Sequence, residues 1–487
     1  VSDNKKKHIS QPIGMILGPL LFLSIWQVTG VGSLDEPAVR VLALAAWMVC
    51  WWVTEAVPIP ITALLPMVAM PLLEIANLRT ATAPYADPII YLFMGGFMIA
   101  LGMEEQQLHK RIALNLIRLT GTNPNGIILG FMVATAFLSM WISNTATAVM
   151  MLPIAMSIMN LVQKSMGPEA VANKGFRNFA LSLMLSIAYA SNIGGVVTII
   201  GTPPNVVLVG YMEQFYQYSV AFNTWLLIGI PLGVTMLTFT YLVLVKWLFR
   251  SNLGNLAASG EVIQVQIKSL GPLSKGEKRV AVVFTVTACL WIFREPLNNL
   301  IGKDLLNDTL IAMAGGIAMF VVPIRFREQQ YLISWKSMER MPWGILLLFG
   351  GGLSLAKAME STGIIQLVGQ EISGLQGTQI WVVTLLLTSV SLFLTELMSN
   401  VALVTIFLPV VMGIADGLQV SPMLFCVPVT IASSFAFMLP ISTPPNAILF
   451  ASGYIGVKDM IRAGAVLNLL SILLLVLASV TLVAWVY

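Results

Sequence analysis

The stretch LSMWISNTATAVMMLP, residues 138–153, carries the polar triplet Ser143-Asn144-Thr145 inside an apolar run. It recurs as LTELMSNVALVTIFLP, residues 394–409, with Ser399-Asn400-Val401 at the matching place, an offset of 256 residues. The same offset maps Pro153 onto Pro409, Gly95-Gly96 onto Gly351-Gly352 and Met103-Glu104 onto Met359-Glu360. A second motif follows each triplet: Gly201-Thr202-Pro203-Pro204-Asn205, then Ser442-Thr443-Pro444-Pro445-Asn446, offset by 241. Two half-chains therefore repeat one plan. The repeated residues are those that hydrocarbon penalises, and paired polar breaks in corresponding apolar segments point to the binding site of a transporter.

The rest of the chain agrees. Its 487 residues are 57% hydrophobic and 10% charged, where a soluble domain carries about 25% charged residues. Apolar runs of about 17 to 25 residues, long enough to cross a hydrocarbon core, recur throughout. A membrane barrel would alternate over about 10 residues instead. The composition therefore predicts an all-α polytopic membrane protein embedded in a lipid bilayer. The net charge of +4 says little about partners, because the basic residues sit in short loops where they set orientation. Nothing calls for a nucleic-acid partner or an organic cofactor. Cys50, Cys289 and Cys426 lack metal or redox spacing and read as inert core residues. Lys5-Lys6-Lys7-His8 precedes an apolar stretch, Ile13 to Val31, that is too long for a signal h-region and lacks an Ala-x-Ala site. The expectation is a retained first helix with a cytoplasmic N-terminus.

The predicted organisation is a tail and first helix over 1–36, a first repeat over 37–249, a polar linker over 250–279 and a second repeat over 280–487. The first repeat has a hairpin near 127–162 and a broken helix near 178–212. The second has a hairpin near 379–418 and a broken helix near 423–453. About 11 transmembrane helices accompany them. Lys110, Arg111 and Arg118 follow Glu104, whereas the stretch from Glu360 to Gln376 has no Lys or Arg. Lys164, Lys174 and Arg177 follow the first triplet, whereas the counterpart near Asp416 has none. Equivalent loops of opposite basic content face opposite sides, so the two repeats are expected to be inverted.

The segments flanking each triplet are too close for two full spans joined outside the bilayer, so each pair reads as a re-entrant hairpin. Non-helical backbone at membrane depth is tolerated only where it lines a cavity or is buried in protein. Ser, Asn and Thr suit such tips: they cap helix N-termini and offer hydroxyl and amide groups to a ligand. In the Thr-Pro-Pro-Asn motifs adjacent prolines break the helix, freeing carbonyls for a cation and aiming helix N-termini at an anion. Ser191-Asn192 lies just upstream of the first break. No Lys or Arg occurs between Arg118 and Lys164, Arg177 and Lys246, or Lys357 and Lys458. An anion bound there is expected to lack a side-chain counter-charge, which favours co-binding of a small hard cation. Glu396, beside the second triplet, is a candidate for cation or proton work; Glu55 reads equally as an interfacial cap. His8 and His109 read as solvated loop residues, and Asn307-Asp308-Thr309 as a helix cap rather than a glycosylation site.

Together the Ser-Asn-Thr and Ser-Asn-Val triplets and the two Pro-Pro-Asn breaks resemble the divalent anion/sodium symporters, and within them the bacterial sodium-coupled dicarboxylate transporters. The resemblance runs from Thr54-Glu55-Ala56-Val57-Pro58 onward. It implies a homodimer in the bacterial inner membrane, each protomer with a scaffold domain and a transport domain that moves as an elevator. It implies one sodium site at Ser139, Ser143, Asn144 and Gly201, and another at Thr395, Met398, Asn400 and Ser442. It implies substrate contacts from Ser143, Asn144, Thr145, Thr202 and Pro203, and from Ser399, Asn400, Val401, Thr443 and Pro444. The implied activity is sodium-driven uptake of C4-dicarboxylates such as succinate, malate or fumarate. A dicarboxylate exchanger, or a citrate or sulfate symporter of the same fold, is the alternative. An intramembrane hydrolase would need a His-Glu-x-x-His helix, a Gly-x-Gly-Asp motif or a Ser/His pair inside the membrane, none of which is present, so no enzyme is expected.

Overall fold

The structure is a computed structural model that describes residues 10–27, 35–166, 173–251, 253, 257–372 and 379–487. Lys5 to His8 lie outside the described residues. Helix α1 (Ser10–Trp26) pairs with α2 (Glu36–Thr54). It begins and ends earlier than the expected 13–31, and residues 28–34 are not described. Helix α2 stops where Glu55 turns left-handed at φ 48°, three residues before Pro58.

Helix α3 (Pro88–Glu105) turns through Gln107 into α4 (Leu108–Leu119). One face of α4 is buried through Ala113, Leu114 and Ile117, while Lys110, Arg111 and Arg118 mark it as a basic amphipathic helix. The first hairpin is α5 (Pro124–Ser139) and α6 (Asn144–Met166), and α5 is capped by Asn123, whose side chain accepts the Gly126 N–H at 2.6 Å. The first broken helix is α7 (Lys174–Val196) and α8 (Pro203–Tyr216), followed by α9 (Phe222–Tyr241). The expected polar linker contains a helix, α10 (Ala257–Ser269), that packs on α4 and α6. Arg111 anchors it: its guanidinium meets Glu277 at 2.6 Å and the carbonyls of Leu270 and Gly271. Helix α10 is therefore docked structure.

The second repeat follows the same order. Helices α11 (Lys275–Ile292) and α12 (Arg294–Ile301) are bent by 72°. Helix α13 (Asp308–Val321) is capped by Asn307, which accepts the Leu310 N–H at 2.8 Å. Then come α14 (Trp343–Ser361), α15 (Ile364–Ile372), the hairpin α16 (Ile380–Thr395) and α17 (Asn400–Gly417), the broken helix α18 (Met423–Ser434) and α19 (Pro444–Phe450), and α20 (Val457–Ala478). Helix α5 packs along α7, and α16 packs along α18 in the same relation.

By length and composition 7 helices can cross a membrane, or 8 if α11 and α12 form one span. Six further apolar helices, Gln11–Trp26, Ile59–Leu72, Pro124–Ser139, Asp308–Val321, Ile380–Thr395 and Met423–Ser434, are shorter than 18 residues. Cys50 and Cys426 are buried as expected, whereas Cys289 is exposed on α11.

Each repeated Gly-Gly pair does the same two jobs. A methyl group on Gly95 would lie 2.5 Å from the Ala312 backbone of α13, and one on Gly351 would lie 2.2 Å from the Ala63 carbonyl. Backbone meets backbone at both points, a close approach that small residues permit in membrane bundles. The adjacent Gly96 and Gly352 instead face side chains, Ile200 of the first break and Thr405 of α17.

Candidate functional site

The hairpin tips, residues 140–143 and 396–399, and both helix breaks converge on a cavity of about 1070 Å³. Its wall includes Ser143, Asn144, Thr145, Gly201, Thr202 and Pro203 from the first repeat. From the second it includes Met398, Ser399, Asn400, Val401, Ser442, Thr443 and Pro444. Residues that lie about 250 positions apart in sequence thus share one space. Ser139 and Thr395 do not line the cavity; both are buried behind the tips.

Behind each tip stands the same set of oxygens. Ser139 Oγ lies 2.6 Å from Asn144 Oδ1 and 2.6 Å from the Ser191 carbonyl. Thr395 Oγ1 lies 2.8 Å from Asn400 Oδ1 and also meets the Ser433 carbonyl. A hydroxyl has one proton to donate, so each set brings three oxygens together around a single hydrogen. Among the described residues no three His, Cys, Asp or Glu side chains group to hold a metal. Neutral oxygens are therefore what each set offers a cation, and they suit a hard one.

The tips also present helix N-termini. Ser143 caps α6 by accepting the Ala146 N–H at 3.2 Å, while Ser399 takes the N-cap position of α17 without a side-chain bond. The first N–H groups of a helix have no partner inside it and favour negative charge. Helices α8 and α19 begin with two prolines each, which have no N–H to give. Donors for an anion thus come from the hairpins, while the breaks supply carbonyls, hydroxyls and shape.

The asparagine of each Thr-Pro-Pro-Asn motif has a role that its neighbours in sequence do not disclose. Asn205 donates to the Val196 and Thr198 carbonyls at 3.2 and 2.8 Å, and Asn446 donates to those of Ala436 and Leu439 at 2.9 and 3.2 Å. Each stitches its own break closed, so only part of the freed carbonyls remain for an ion. Asn192, also on the cavity wall, donates to Thr443 Oγ1 at 3.2 Å and links the repeats.

Glu396 proves to be a clamp. Its carboxylate accepts the N–H groups of Phe437, Met438 and Leu439 at 2.8, 2.9 and 3.1 Å, and the Asn468 amide at 2.9 Å. It therefore holds the second break in place. Position 140 in the first repeat is its counterpart by offset, and there the Met140 carbonyl accepts the Thr198 hydroxyl at 2.6 Å. Glu55 is an exposed helix terminus on the cavity wall.

One expectation is corrected. His109 is no solvated loop residue: it is half-buried in the first turn of α4, and its Nδ1 donates to the Met103 carbonyl at 2.9 Å. Burial holds this imidazole below its ordinary pKa. The sequence gaps around the triplets do remain free of basic residues, but one cation from elsewhere in the chain joins the cavity wall. Arg340, far from either triplet in sequence, lies on its wall with Glu104. The hairpin tip is braced in turn by aromatics: Trp141 stacks on Phe222 at 6.1 Å, and Phe222 on Trp291 at 4.9 Å. The Phe222 N–H reaches Asp308, which is paired with Arg294 at 3.0 Å.

Paired hairpins and broken helices around one shared cavity define a membrane transporter. The sodium:sulfate symporter transmembrane-region family matches residues 13–487, and the chain belongs to that family, the divalent anion/sodium symporters. The sodium-dependent dicarboxylate transporter SdcS of Staphylococcus saprophyticus is 37% identical over 481 residues, 98% of this chain and 92% of that protein. The SdcS protein of Staphylococcus aureus strain USA300 is 39% identical over 480 residues, with the same coverage. Among solved structures, Neisseria gonorrhoeae MtrF, described with a class of antimetabolite efflux pumps, has a TM-score of 0.56 at 12% identity. The Alcanivorax borkumensis YdaH transporter has a TM-score of 0.57 at 14% identity. Each likeness covers 96% of both chains and concerns the fold.

Proposed function

We propose that the protein couples inward sodium flow to uptake of C4-dicarboxylates such as succinate, malate or fumarate. The observation that carries this reading is the doubled oxygen set, Ser139–Asn144–Ser191 and Thr395–Asn400–Ser433. A sodium ion in each set relieves the contact between oxygens that share one proton. Rotating the Asn amide would relieve one set as well, but the recurrence in both repeats favours a purpose-built ion site. Met398, Gly201 and Ser442 stand on the wall beside these sets and complete the sodium ligands. The names of the SdcS relatives support the same ion and substrate class.

In this reading one substrate carboxylate meets Ser143, Asn144 and Thr145 and the other meets Ser399, Asn400 and Val401, flanked by Thr202-Pro203 and Thr443-Pro444. Helix N-termini and bound sodium offset the dianion's charge. The protein works as a homodimer in the bacterial inner membrane with its N-terminus in the cytoplasm, and the hairpins and broken helices slide as an elevator past a scaffold. Initial rates of succinate uptake into proteoliposomes, with and without a sodium gradient and competed by citrate and sulfate, test the assignment. Uptake that ignores sodium, or that citrate or sulfate outcompetes, would replace it by an exchanger or by another symporter of the family.

A doubly charged ligand should be needed to reach both tips. Succinate should compete at least about tenfold better than butyrate, since hydrogen bonds to a charged group contribute about 1.5–3 kcal/mol. Equal competition would show that the triplets do not grip opposite ends of one dianion.

Inversion has its own test. Gln163 lies near the end of α6, and Gln419 is exposed just after α17. With Cys50, Cys289 and Cys426 replaced by alanine, Gln163→Cys should react with an impermeant maleimide only from the cytoplasm. Gln419→Cys should react only from outside. Labelling of both from one face would sink the inverted arrangement.

A further inference from the structure

The substrate groups proposed at the hairpin tips include no basic side chain, yet the wall of the same cavity includes Arg340. Among the described residues, no other Lys or Arg lines this space. The Arg340 side chain is 50% exposed; its Nη2 bonds Glu105, and its Nη1 lies 3.9 Å from Glu104. Glu105 also accepts the Ser337 hydroxyl at 3.0 Å. Arg340 further borders a smaller cavity of about 250 Å³ that is walled by Ala146 and Thr147 of α6 and by His109. It therefore borders both cavities, half exposed, beside the hairpin leg that begins at Asn144.

We propose that Arg340 forms a second, shallower site for a substrate carboxylate at the mouth of the cavity, held in this structure by the protein's own Glu104 and Glu105. The inference rests on the dicarboxylate reading above. A guanidinium presents five N–H donors in a planar fork that matches a carboxylate, and the two glutamates do not use them all. Exposed ion pairs are worth only about 0–1 kcal/mol, so exchanging a glutamate for a substrate carboxylate costs little. A dianion released from the tips meets this cation before bulk water. Glu105 then competes with the substrate, and the two residues act in opposite senses.

That opposition separates a substrate site from a brace between the 335–340 turn and α3. The full-length protein is reconstituted, and the KM for succinate is measured separately at each face. Arg340→Gln should raise KM about tenfold, or about 1.4 kcal/mol, at the face where the cavity opens. The opposite face and the half-saturating sodium concentration should not change. Arg340→Lys should recover most of the loss. Glu105→Gln should lower KM about threefold at that same face. Shifts of both variants in one direction, or no shift in either, overturn the site. If Arg340→Gln does not stay monodisperse, Glu105→Gln decides alone, and a raised or unchanged KM overturns the proposal. A wild-type protein without sodium-driven succinate uptake would overturn the transport reading itself, whereas normal wild-type uptake with unsplit variants overturns only the Arg340 site.

Discussion

Asn144→Ala and Asn400→Ala should each cut sodium-driven uptake by at least about 100-fold, on the scale of the 1.5–3 kcal/mol lost with each hydrogen bond to a charged group. Each amide serves two partners. Asn144 Oδ1 lies 2.6 Å from Ser139, and its side chain presses on Gly195, where an added methyl would come within 2.6 Å of that oxygen. Asn400 repeats the contact with Thr395 at 2.8 Å, and both asparagines also face the cavity. On the proposed reading, alanine removes an ion ligand and a substrate donor together while leaving the helix start free to form. Proteoliposome uptake gives the rate, and size-exclusion chromatography checks that the protein stays folded. Near-normal, still sodium-dependent uptake by either variant would refute the shared role.

Glu396→Ala should be the most damaging single change to stability. It strips the acceptor from three backbone N–H groups and from Asn468, and each buried donor left unpaired costs about 1–3 kcal/mol. The expected loss is at least about 3 kcal/mol, read as a lower unfolding midpoint in detergent, with sodium no longer shifting that midpoint. Glu396→Gln keeps the shape but turns an amide NH₂ toward donors, so it should fall between alanine and wild type. Glu55→Ala, at an exposed helix end, should leave the midpoint where it was. An unaltered midpoint and full uptake in Glu396→Ala would remove the clamp from the account.

The sequence discloses the two hairpins and both breaks because polar residues and prolines inside apolar runs are costly, and a cost paid twice at one offset stands out. Ser191 and Ser433 meet the Ser139 and Thr395 hydroxyls through backbone carbonyls, which every residue has, so their places are set by helix packing alone. Glu396 is conspicuous as an acid in an apolar run, but its partners lie about 40 residues downstream in backbone that only the folded break brings near. Arg340 sits outside every segment the repeat marks out, and it reaches the cavity because the turn at 335–340 folds against the end of α3. The helix at Ala257–Ser269 was hidden for a different reason: its polar composition resembles a linker, and its contacts with α4 and α6 are tertiary.

The doubled glycines bear on friction. If the hairpins and breaks slide as proposed, Gly95 and Gly351 act as rivets, because backbone packed on backbone at Ala312 and Ala63 leaves no slack between those segments. Gly96 and Gly352 then form a smooth track on the other side, facing Ile200 and Thr405. Helices normally interlock ridge into groove, so one passing another must climb out of each notch in turn. A surface without side chains has no notch at that point. One glycine step in each repeat would thus both fasten a stationary part and polish the rail beside it, and a bulky residue at Gly96, where a methyl meets Ile200 at 3.5 Å, should jam travel before it disturbs the fold, whereas at Gly352 a methyl would already fall 2.3 Å from the Thr405 side chain.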